Sequence, residues 1–360
     1  MLAPSVPREP RLVPRTSGAR VSGNATTRFG NVSLLSVASR LPSRITTSAE
    51  ISERLGSALR RLRLPRTVLQ RVAGVEERRN WGPGEDADTA TIAAGTAALR
   101  EAGVNPDDVG LLINTSVTRK HLEPSVAVRL HHGLGLGSHA VNFDVANACL
   151  GFINGMSLAA TMIESGQVRY AVVVNGEDAD DIQRTTVERL LRPEVGRAEF
   201  MEEFATLTLG SGSAAAVLGR TDENPGGHRV LGGVTRAATR FHDLCVGSAD
   251  AMLTDARALL EGGLELVVDA WREAQRDWDW SSMDRYVTHQ VSRVHTDAIV
   301  KAVGLNRKHV PTTFPHLGNV GPASIPITLV EEQHSLRSGD RVLLMGVGSG
   351  INTAMMELAW

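Results

Sequence analysis

Phe-Asp-Val-Ala-Asn-Ala-Cys-Leu-Gly-Phe, residues 143–152, contains the end of a predicted strand, a cysteine and the start of a predicted helix. Residues 140–145 are typical of a short buried strand, and residues 151–166 carry apolar side chains at helical spacing. Cys149 lies where the strand gives way to the helix. Unpaired backbone N–H groups and the positive end of the helix dipole favour a thiolate there, and the thiolate is the nucleophilic form. The alternative is that Cys149 is a small buried apolar residue, as most lone cysteines are.

Strand-like and helix-like segments alternate along the chain from residue 31 onward. The patterns predict strands at 32–39, 109–115, 170–174, 214–218, 285–289 and 341–347, and helices at 87–102, 123–134, 251–274 and 293–303. This alternation predicts an α/β fold with a mostly parallel sheet covered on both faces. Two halves, each with a buried strand beside a glycine-rich turn, indicate a duplicated α/β unit.

Three parts of the chain are distinguished by composition. Residues 1–28 contain four prolines, five arginines and no apolar periodicity, which predicts a flexible N-terminal tail. A transit peptide is the alternative, although the amphipathic stripe of such a leader is missing. The polar, turn-rich run 222–227 then separates an N-terminal half, 29–221, which carries Cys149, from a C-terminal half, 222–360.

Charge and cysteine content narrow the possible partners. A net charge of −2 over 360 residues gives no reason to expect a nucleic acid partner. The sequence has no apolar run long enough for a membrane span and no secretory signal pattern. Only two cysteines, far apart in sequence, are typical of a reducing cytoplasm. The acidic run 177–181 is typical of a solvated loop. Neither this run nor the remaining histidines have the spacing of metal ligands, so we expect no metal site.

Two further residues form a chemically coherent set with Cys149. His289 ends a predicted strand beside a helix start, on the edge where α/β sheets place their chemistry. Asn319 follows Gly318 in a loop that can bring a side-chain amide close to a ligand. Each could instead be structural. Together they suit acyl transfer, because a thiolate forms a thioester while histidine and asparagine donate hydrogen bonds to the oxygen that becomes negative.

At these residues the chain resembles the condensing enzymes of the thiolase superfamily, in the ketoacyl-ACP synthase III branch. The matching segments are 143–149, 289–290 and 318–319, in the order of the family, and the resemblance extends over about residues 31–360. It implies the thiolase fold, a duplicated five-layer αβαβα architecture. It also implies Cys149, His289 and Asn319 as the catalytic residues. The backbone N–H of Cys149 and one from the turn at Ser349 and Gly350 would then form a second oxyanion pocket.

Within that branch, three stretches resemble the enzymes that condense two acyl-CoA molecules head to head in long-chain olefin biosynthesis. These stretches are 112–125, 147–156 and 318–326. The resemblance implies that Glu123 reaches into the site of the partner subunit and deprotonates the second acyl chain. The alternative for Glu123 is a solvated acid at a helix N-terminus, where the dipole favours negative charge.

The resemblance therefore implies a cytoplasmic, homodimeric acyltransferase that uses no cofactor. The expected reaction is a non-decarboxylative Claisen condensation of two fatty acyl-CoA molecules, through an acyl-Cys149 intermediate, to a 2-alkyl-3-ketoacyl product. Downstream enzymes would convert that product to an olefin or a β-lactone. Two alternatives stay open: a decarboxylative ketoacyl-ACP synthase III that uses acyl-CoA and malonyl-ACP, and a non-catalytic subunit of a heterodimeric condensing enzyme.

Overall fold

The molecule is built around one large β-sheet that contains both parallel and antiparallel strand pairs. The computed structural model describes residues 26–248 and 251–360. Its strands are β1 (Thr26–Arg28), β2 (Val32–Arg40), β3 (Arg44–Thr47), β4 (Glu77–Asn80), β5 (Val109–Asn114), β6 (Val141–Asp144), β7 (Tyr170–Glu177), β8 (Gly212–Arg220), β9 (His228–Ala237), β10 (Cys245–Gly247), β11 (Met252–Thr254), β12 (Arg285–Thr288), β13 (Arg341–Gly348) and β14 (Asn352–Ala359). Ten of them form one sheet in the order β12-β13-β14-β9-β2-β8-β7-β5-β6, with β1 added beside β9.

Helices cover and divide this sheet. They are α1 (Ser48–Arg54), α2 (Gly56–Arg61), α3 (Val68–Ala73), α4 (Ala87–Ala102), α5 (Val126–Gly133), α6 (Gly151–Glu164), α7 (Asp180–Leu190), α8 (Arg197–Glu202), α9 (Ala256–Ala274), α10 (Arg293–Val303), α11 (Phe314–Leu317) and α12 (Ser324–Glu332). Local sequence explains their ends. For example, Asp86 accepts a hydrogen bond from the Thr89 N–H at the start of α4, and Gly103 ends that helix in the left-handed conformation.

The strand pairing repeats between the two ends of the sheet. In one half, β2 pairs antiparallel with β8, β8 antiparallel with β7, and β7 parallel with β5. In the other half, β9 pairs antiparallel with β14, β14 antiparallel with β13, and β13 parallel with β12. Two residue pairs, Ser33 with Arg229 and Leu34 with His228, join the halves through β2 and β9. The repeat has the form of a duplicated α/β unit, and the seven residues 221–227 connect its two copies.

Five layers result from where the helices pack. Helix α4 covers the outer face of β2, β7 and β8, whereas α9 covers β9 and β14 on the opposite side. Helices α6 and α12 lie between the two half-sheets and contact strands of both. The central core joins Phe152 and Met156 of α6 to Ile325 and Leu329 of α12, and all four side chains are buried. This is the αβαβα architecture that the resemblance implies.

Several sequence-based boundaries need correction. The prediction of a mostly parallel sheet was wrong, because the central strand pairs of both halves are antiparallel. The predicted helix 251–274 begins only at Ala256, since residues 252–254 form β11 and Asp255 caps the helix. The predicted helix 123–134 begins at Val126.

The predicted tail 1–28 also extends too far, because Thr26–Arg28 pair with β9. The rest of that tail, residues 1–25, lies outside the described residues. Among the residues that the structure describes, no helix is both long enough and apolar enough to cross a membrane.

Candidate active site

Cys149 lies on a tight bend between β6 and α6. Ala148 adopts a left-handed backbone conformation with φ of 43°, which is uncommon for a residue with a side chain. The Leu150 N–H donates to the Asn147 carbonyl at 3.0 Å and the Gly151 N–H donates to the Ala148 carbonyl at 3.1 Å, so the bend closes directly into the helix. The sequence-predicted position of Cys149, at the junction of a strand and a helix, is confirmed.

Close backbone packing fixes this bend. A Cβ added to Gly151 would lie 2.9 Å from the Thr115 carbonyl oxygen, so only glycine fits without a shift. A Cβ added to Gly348, at the end of β13, would lie 3.2 Å from the Asn147 carbonyl oxygen. The Asn147 side chain donates to Asn154 Oδ1 at 2.7 Å and accepts from Asn352 Nδ2 at 3.2 Å. The Cys149 bend is therefore held by β5, α6 and the hairpin of β13 and β14.

The Cys149 thiol of the free chain is protonated at neutral pH. Burial raises the pKa of the Cys149 thiol to about 12, and electrostatic interactions with Cys245 and Glu177 add to that rise. The sequence predicted that the helix start would favour the thiolate, and this was wrong for the free chain. The helix begins two residues after Cys149, and loss of hydration outweighs the opposing hydrogen bond from the Cys149 backbone.

His289 directly follows β12, as the sequence predicted. Its backbone N–H donates to the Met345 carbonyl of β13 at 2.8 Å, and the side chain is 6% exposed. Burial, followed by the nearby His295, lowers the pKa of His289 to about 3. The ring is thus neutral at pH 7, with one nitrogen as donor and the other as acceptor. Within the described residues its Nδ1 atom is buried without a hydrogen-bond partner.

Asn319 sits in the loop that leads into α12. Its Oδ1 atom accepts from the Gly321 N–H at 3.0 Å, which leaves Nδ2 as the group that can donate to a ligand. Its backbone N–H donates to the Thr208 carbonyl at 2.9 Å. Gly318 has φ of 68°, and a Cβ there would lie 2.5 Å from that same carbonyl oxygen, so glycine is required beside Asn319.

A shared backbone framework brings these three residues to one edge of the sheet. His289 follows the pair that Thr288 forms with Met345 on β13, and Gly346, the next residue of β13, packs against Leu150. The Glu177 carboxyl lies close enough to influence the Cys149 thiol, and it lies 3.6 Å from a Cβ placed on Gly321. Cys149 and the turn from Asn319 to Gly321 thus both lie near Glu177.

Glu177 is the site residue that the sequence analysis missed. The prediction of a solvated acidic loop is wrong for this residue, because Glu177 ends β7 and is 4% exposed. Burial raises the pKa of its carboxyl to about 7 despite four hydrogen bonds that oppose the rise. The available signal was its position, since only Asn175 and Gly176 separate it from the apolar run of a strand whose carboxyl end meets the catalytic edge.

Glu123 lies apart from this buried group. It is exposed in the loop between β5 and α5, next to Leu122, which is 92% exposed. In a single chain its carboxyl group is therefore surrounded by solvent. Ser349 and Gly350 lie in the turn between β13 and β14, directly after Gly348, the residue packed against the Cys149 bend. The structure thus places the predicted oxyanion turn beside Cys149.

Comparison with known proteins decides the family. Family models for 3-oxoacyl-[acyl-carrier-protein] synthase III match residues 143–189 and, for its C-terminal part, residues 274–360. The chain is 45% identical over 336 residues to an acyl-CoA:acyl-CoA alkyltransferase of Xanthomonas campestris, covering 92% of this chain and 99% of that protein. The chain belongs to the synthase III family of condensing enzymes. Another relative of this synthase III enzyme, the acyl-CoA:acyl-CoA alkyltransferase of Shewanella oneidensis, is 32% identical and matches over its full length.

Solved structures agree with this assignment. The synthase III enzyme described here superimposes with a TM-score of 0.90 on Xanthomonas campestris OleA with bound lauric acid and lauroyl-CoA, at 44% identity, covering 92% of this chain and 100% of that one. It matches a 3-oxoacyl-(acyl carrier protein) synthase III of Xanthomonas oryzae equally well, with a TM-score of 0.90 and 45% identity. Such agreement over nearly the whole chain confirms the thiolase fold. The chain is an acyl-condensing acyltransferase.

Proposed function

We propose that this synthase III enzyme joins two fatty acyl-CoA molecules by a non-decarboxylative Claisen condensation to a 2-alkyl-3-ketoacyl product. The proposal depends on one observation: Cys149, His289 and Asn319 lie at one edge of the sheet, in a chain that matches an acyl-CoA:acyl-CoA alkyltransferase over 99% of the length of that relative. OleA, a structural neighbour, binds lauroyl-CoA, which supports acyl-CoA as the substrate. We propose that no cofactor is needed, since acyl exchange and carbon–carbon bond formation are polar steps without redox change.

In the first step, Cys149 takes the acyl group from the first acyl-CoA. The sulfur–carbonyl bond forms, the bond to the CoA sulfur breaks, and the thiol proton of Cys149 leaves with free CoA. The backbone N–H of Cys149 and one from the Ser349–Gly350 turn hold the oxyanion of the tetrahedral intermediate. The proximity of that turn to the Cys149 bend supports this role.

In the second step, the second acyl-CoA loses a proton from its α-carbon. His289 and Asn319 donate hydrogen bonds to its thioester oxygen and stabilise the enolate. The neutral state of His289, which follows from its burial, suits a donor that carries no charge of its own. The enolate carbon attacks the acyl carbon, and Cys149 leaves as a thiolate that regains a proton.

Glu123 of the partner subunit supplies the base for that proton. This role requires a homodimer, and two features of the single chain support one. The loop that contains Glu123 is exposed, and β6 is the terminal strand of the sheet. Exposed apolar side chains cluster on the same loop and strand: Val117 is 50% exposed, Leu122 92% and Val141 49%. Covering them with a second copy would surround Glu123 with apolar groups and raise its basicity. We place the enzyme in the cytoplasm, because both cysteines of the chain are free thiols.

Incubation of the purified protein with acyl-CoA alone tests the reaction. We expect a coupled product whose mass corresponds to two acyl chains, detected by mass spectrometry without malonyl-ACP. A product that appears only when malonyl-ACP is added would establish the decarboxylative synthase instead. Absence of product under both conditions, with recovery upon addition of a second condensing subunit, would establish the non-catalytic role. The released 2-alkyl-3-ketoacyl product would pass to enzymes that make an olefin or a β-lactone.

A further inference from the structure

A buried carboxylate, Glu177, is held entirely by hydrogen-bond donors. Its two oxygens accept from the Val117 N–H at 2.8 Å, the Thr118 N–H at 3.1 Å, the Thr118 hydroxyl at 2.9 Å and the Asn175 amide at 3.2 Å. All four partners donate and none carries a charge. Because burying an ionised carboxylate is costly, these four donors are what stabilises the charged form of Glu177.

The same end of β7 makes further bonds to the chain that follows β5. The Gly176 N–H donates to the Ser116 hydroxyl at 2.9 Å, and the Asp178 N–H donates to the Thr118 hydroxyl at 3.0 Å. The Ser116 hydroxyl in turn donates to Asn114 Oδ1 at 2.7 Å. Residues 115–118 are thus attached to β7 through both backbone and side-chain atoms.

A second carboxylate fixes the other end of this loop. Asp144, at the end of β6, accepts from the Val126 N–H at 3.1 Å and the Ala127 N–H at 2.9 Å, at the start of α5. It also lies 3.7 Å from the guanidinium of Arg119. The chain between these two attachments contains Glu123, which projects into solvent. The direction in which Glu123 projects is therefore set by what holds residues 117–118 and 126–127.

We propose that Glu177 is a positioning residue for the condensation step, because it fixes the 117–118 backbone and so directs Glu123 toward the site of the partner subunit. This inference rests on the proposed function and extends it to a residue that touches neither the reacting carbon nor its acidic proton. Glu177 acts through Glu123. Its charge also disfavours the Cys149 thiolate, so its two effects on the reaction have opposite signs.

The variant Glu177→Gln separates the two effects. Glutamine keeps the shape of the side chain but turns one acceptor into a donor, which then faces the N–H of Val117 or Thr118. We expect condensation kcat to fall by about 10- to 100-fold, since a displacement of about 1 Å in a reacting group has that effect. Formation of acyl-Cys149, followed by intact mass, should not slow, because the negative charge near the sulfur is removed.

The double variant Glu123→Ala/Glu177→Gln provides the decisive comparison. If Glu177 acts through Glu123, the double variant condenses no more slowly than Glu123→Ala alone. The matched control is Glu203→Gln, another buried glutamate, which is 2% exposed and pairs with Arg189. We expect this control to leave the ratio of condensation to acylation unchanged, even if it lowers stability.

Three results would overturn the inference. One is an additive loss in the double variant, and another is an equal fall of acylation and condensation in Glu177→Gln. The third is unchanged condensation in Glu177→Gln while the wild type makes the coupled product, which leaves the proposed function intact. If the wild type makes no coupled product, the proposed function fails instead. Hydrogen exchange over residues 115–125 then decides whether Glu177 holds the loop, and exchange unaltered by Glu177→Gln would refute it.

Discussion

Cys149 combines a fixed backbone position with a thiol that burial keeps protonated. Because the pKa of the thiol is raised to about 12, its thiolate fraction rises about tenfold per pH unit throughout the neutral and mildly alkaline range. We therefore expect iodoacetamide to alkylate Cys149 faster with each step from pH 7 to pH 10, without a plateau. Peptide mapping assigns the label to Cys149 or Cys245. A plateau below pH 9 would show that the helix start dominates after all.

Loss of the Cys149 sulfur should abolish the reaction. We expect Cys149→Ala to form no acyl adduct by intact mass and to reduce coupled product to background, since the proposed nucleophile is then missing. Cys245→Ala is the matched control, and it should still acquire one acyl group. Turnover by Cys149→Ala at the wild-type rate would refute the nucleophile assignment.

The sequence predicted some site residues better than others. Cys149, His289 and Asn319 each lie where a strand or loop meets a helix, and such junctions are visible in the spacing of apolar residues. Glu177 could not be recognised in the same way. Its burial depends on residues 115–118 folding back onto β7, about sixty positions away in sequence, and the acidic residues that follow it resemble a solvated loop.

Among the helices and strands, the start of α6 both packs tightly against the residue that follows β5 and positions Cys149. Gly151 begins this helix, and a Cβ there would lie 2.9 Å from the carbonyl oxygen of Thr115 and 3.2 Å from its Cβ. Backbone cannot move aside cheaply, so we expect Gly151→Ala to cost about 1–3 kcal/mol of unfolding free energy. The same shift should displace Cys149 and slow acylation. Urea unfolding and intact mass measure the two effects.

A second helical glycine serves as the control for Gly151→Ala. Gly263 lies within α9, where an added Cβ would meet only Val347 Cγ1 at 3.5 Å, an ordinary contact. Alanine there should raise the unfolding free energy by about 0.4–1 kcal/mol, because it restricts the unfolded chain. Acylation should be unchanged. Stabilisation by both substitutions would show that α6 has room to shift.

Element types were easier to predict than their pairing. The apolar runs of β5, β7 and β13 identify buried strands, because only a strand covered on both faces is apolar throughout. The antiparallel insertion of β8 and β14 between other strands leaves no local trace, since register and neighbours are set by tertiary packing. Helix α9 was predicted too long for a similar reason, as β11 forms only by pairing with β10.

At the scale of the whole molecule, the duplication explains why the site is built from both halves. Helices α6 and α12 precede the equivalent strands β7 and β13, and both occupy the middle layer. Cys149 stands before α6 and Asn319 before α12, so the two copies bring their helix starts to the same edge. His289 follows β12, the strand that corresponds to β5. The halves are therefore both required for one site, which fits a single cooperative folding unit.

The proposed donation of Glu123 to the partner subunit extends this logic from two halves to two chains, and mixed dimers test the proposal. Co-expression of Cys149→Ala with Glu123→Ala gives about half mixed dimers by random pairing. In a mixed dimer, the Glu123→Ala chain provides an intact Cys149 and its partner provides an intact Glu123, so one of the two sites is complete. We therefore expect about a quarter of wild-type condensation, well above the rate of either variant alone.

The control for this experiment combines two substitutions that affect the same part of the site, Cys149→Ala and His289→Ala. His289 acts on the thioester beside Cys149 of its own chain, so mixed dimers of Cys149→Ala with His289→Ala have no complete site. We expect them to stay at background under the same co-expression. If condensation were restored in this control, the partner subunit would have to supply His289 or Cys149 as well as Glu123. Background activity in the Cys149→Ala and Glu123→Ala mixture, with dimers confirmed by native mass spectrometry, would place the base in the same chain as the nucleophile. The exposed position of Glu123 in the single chain leads us to expect donation across the interface.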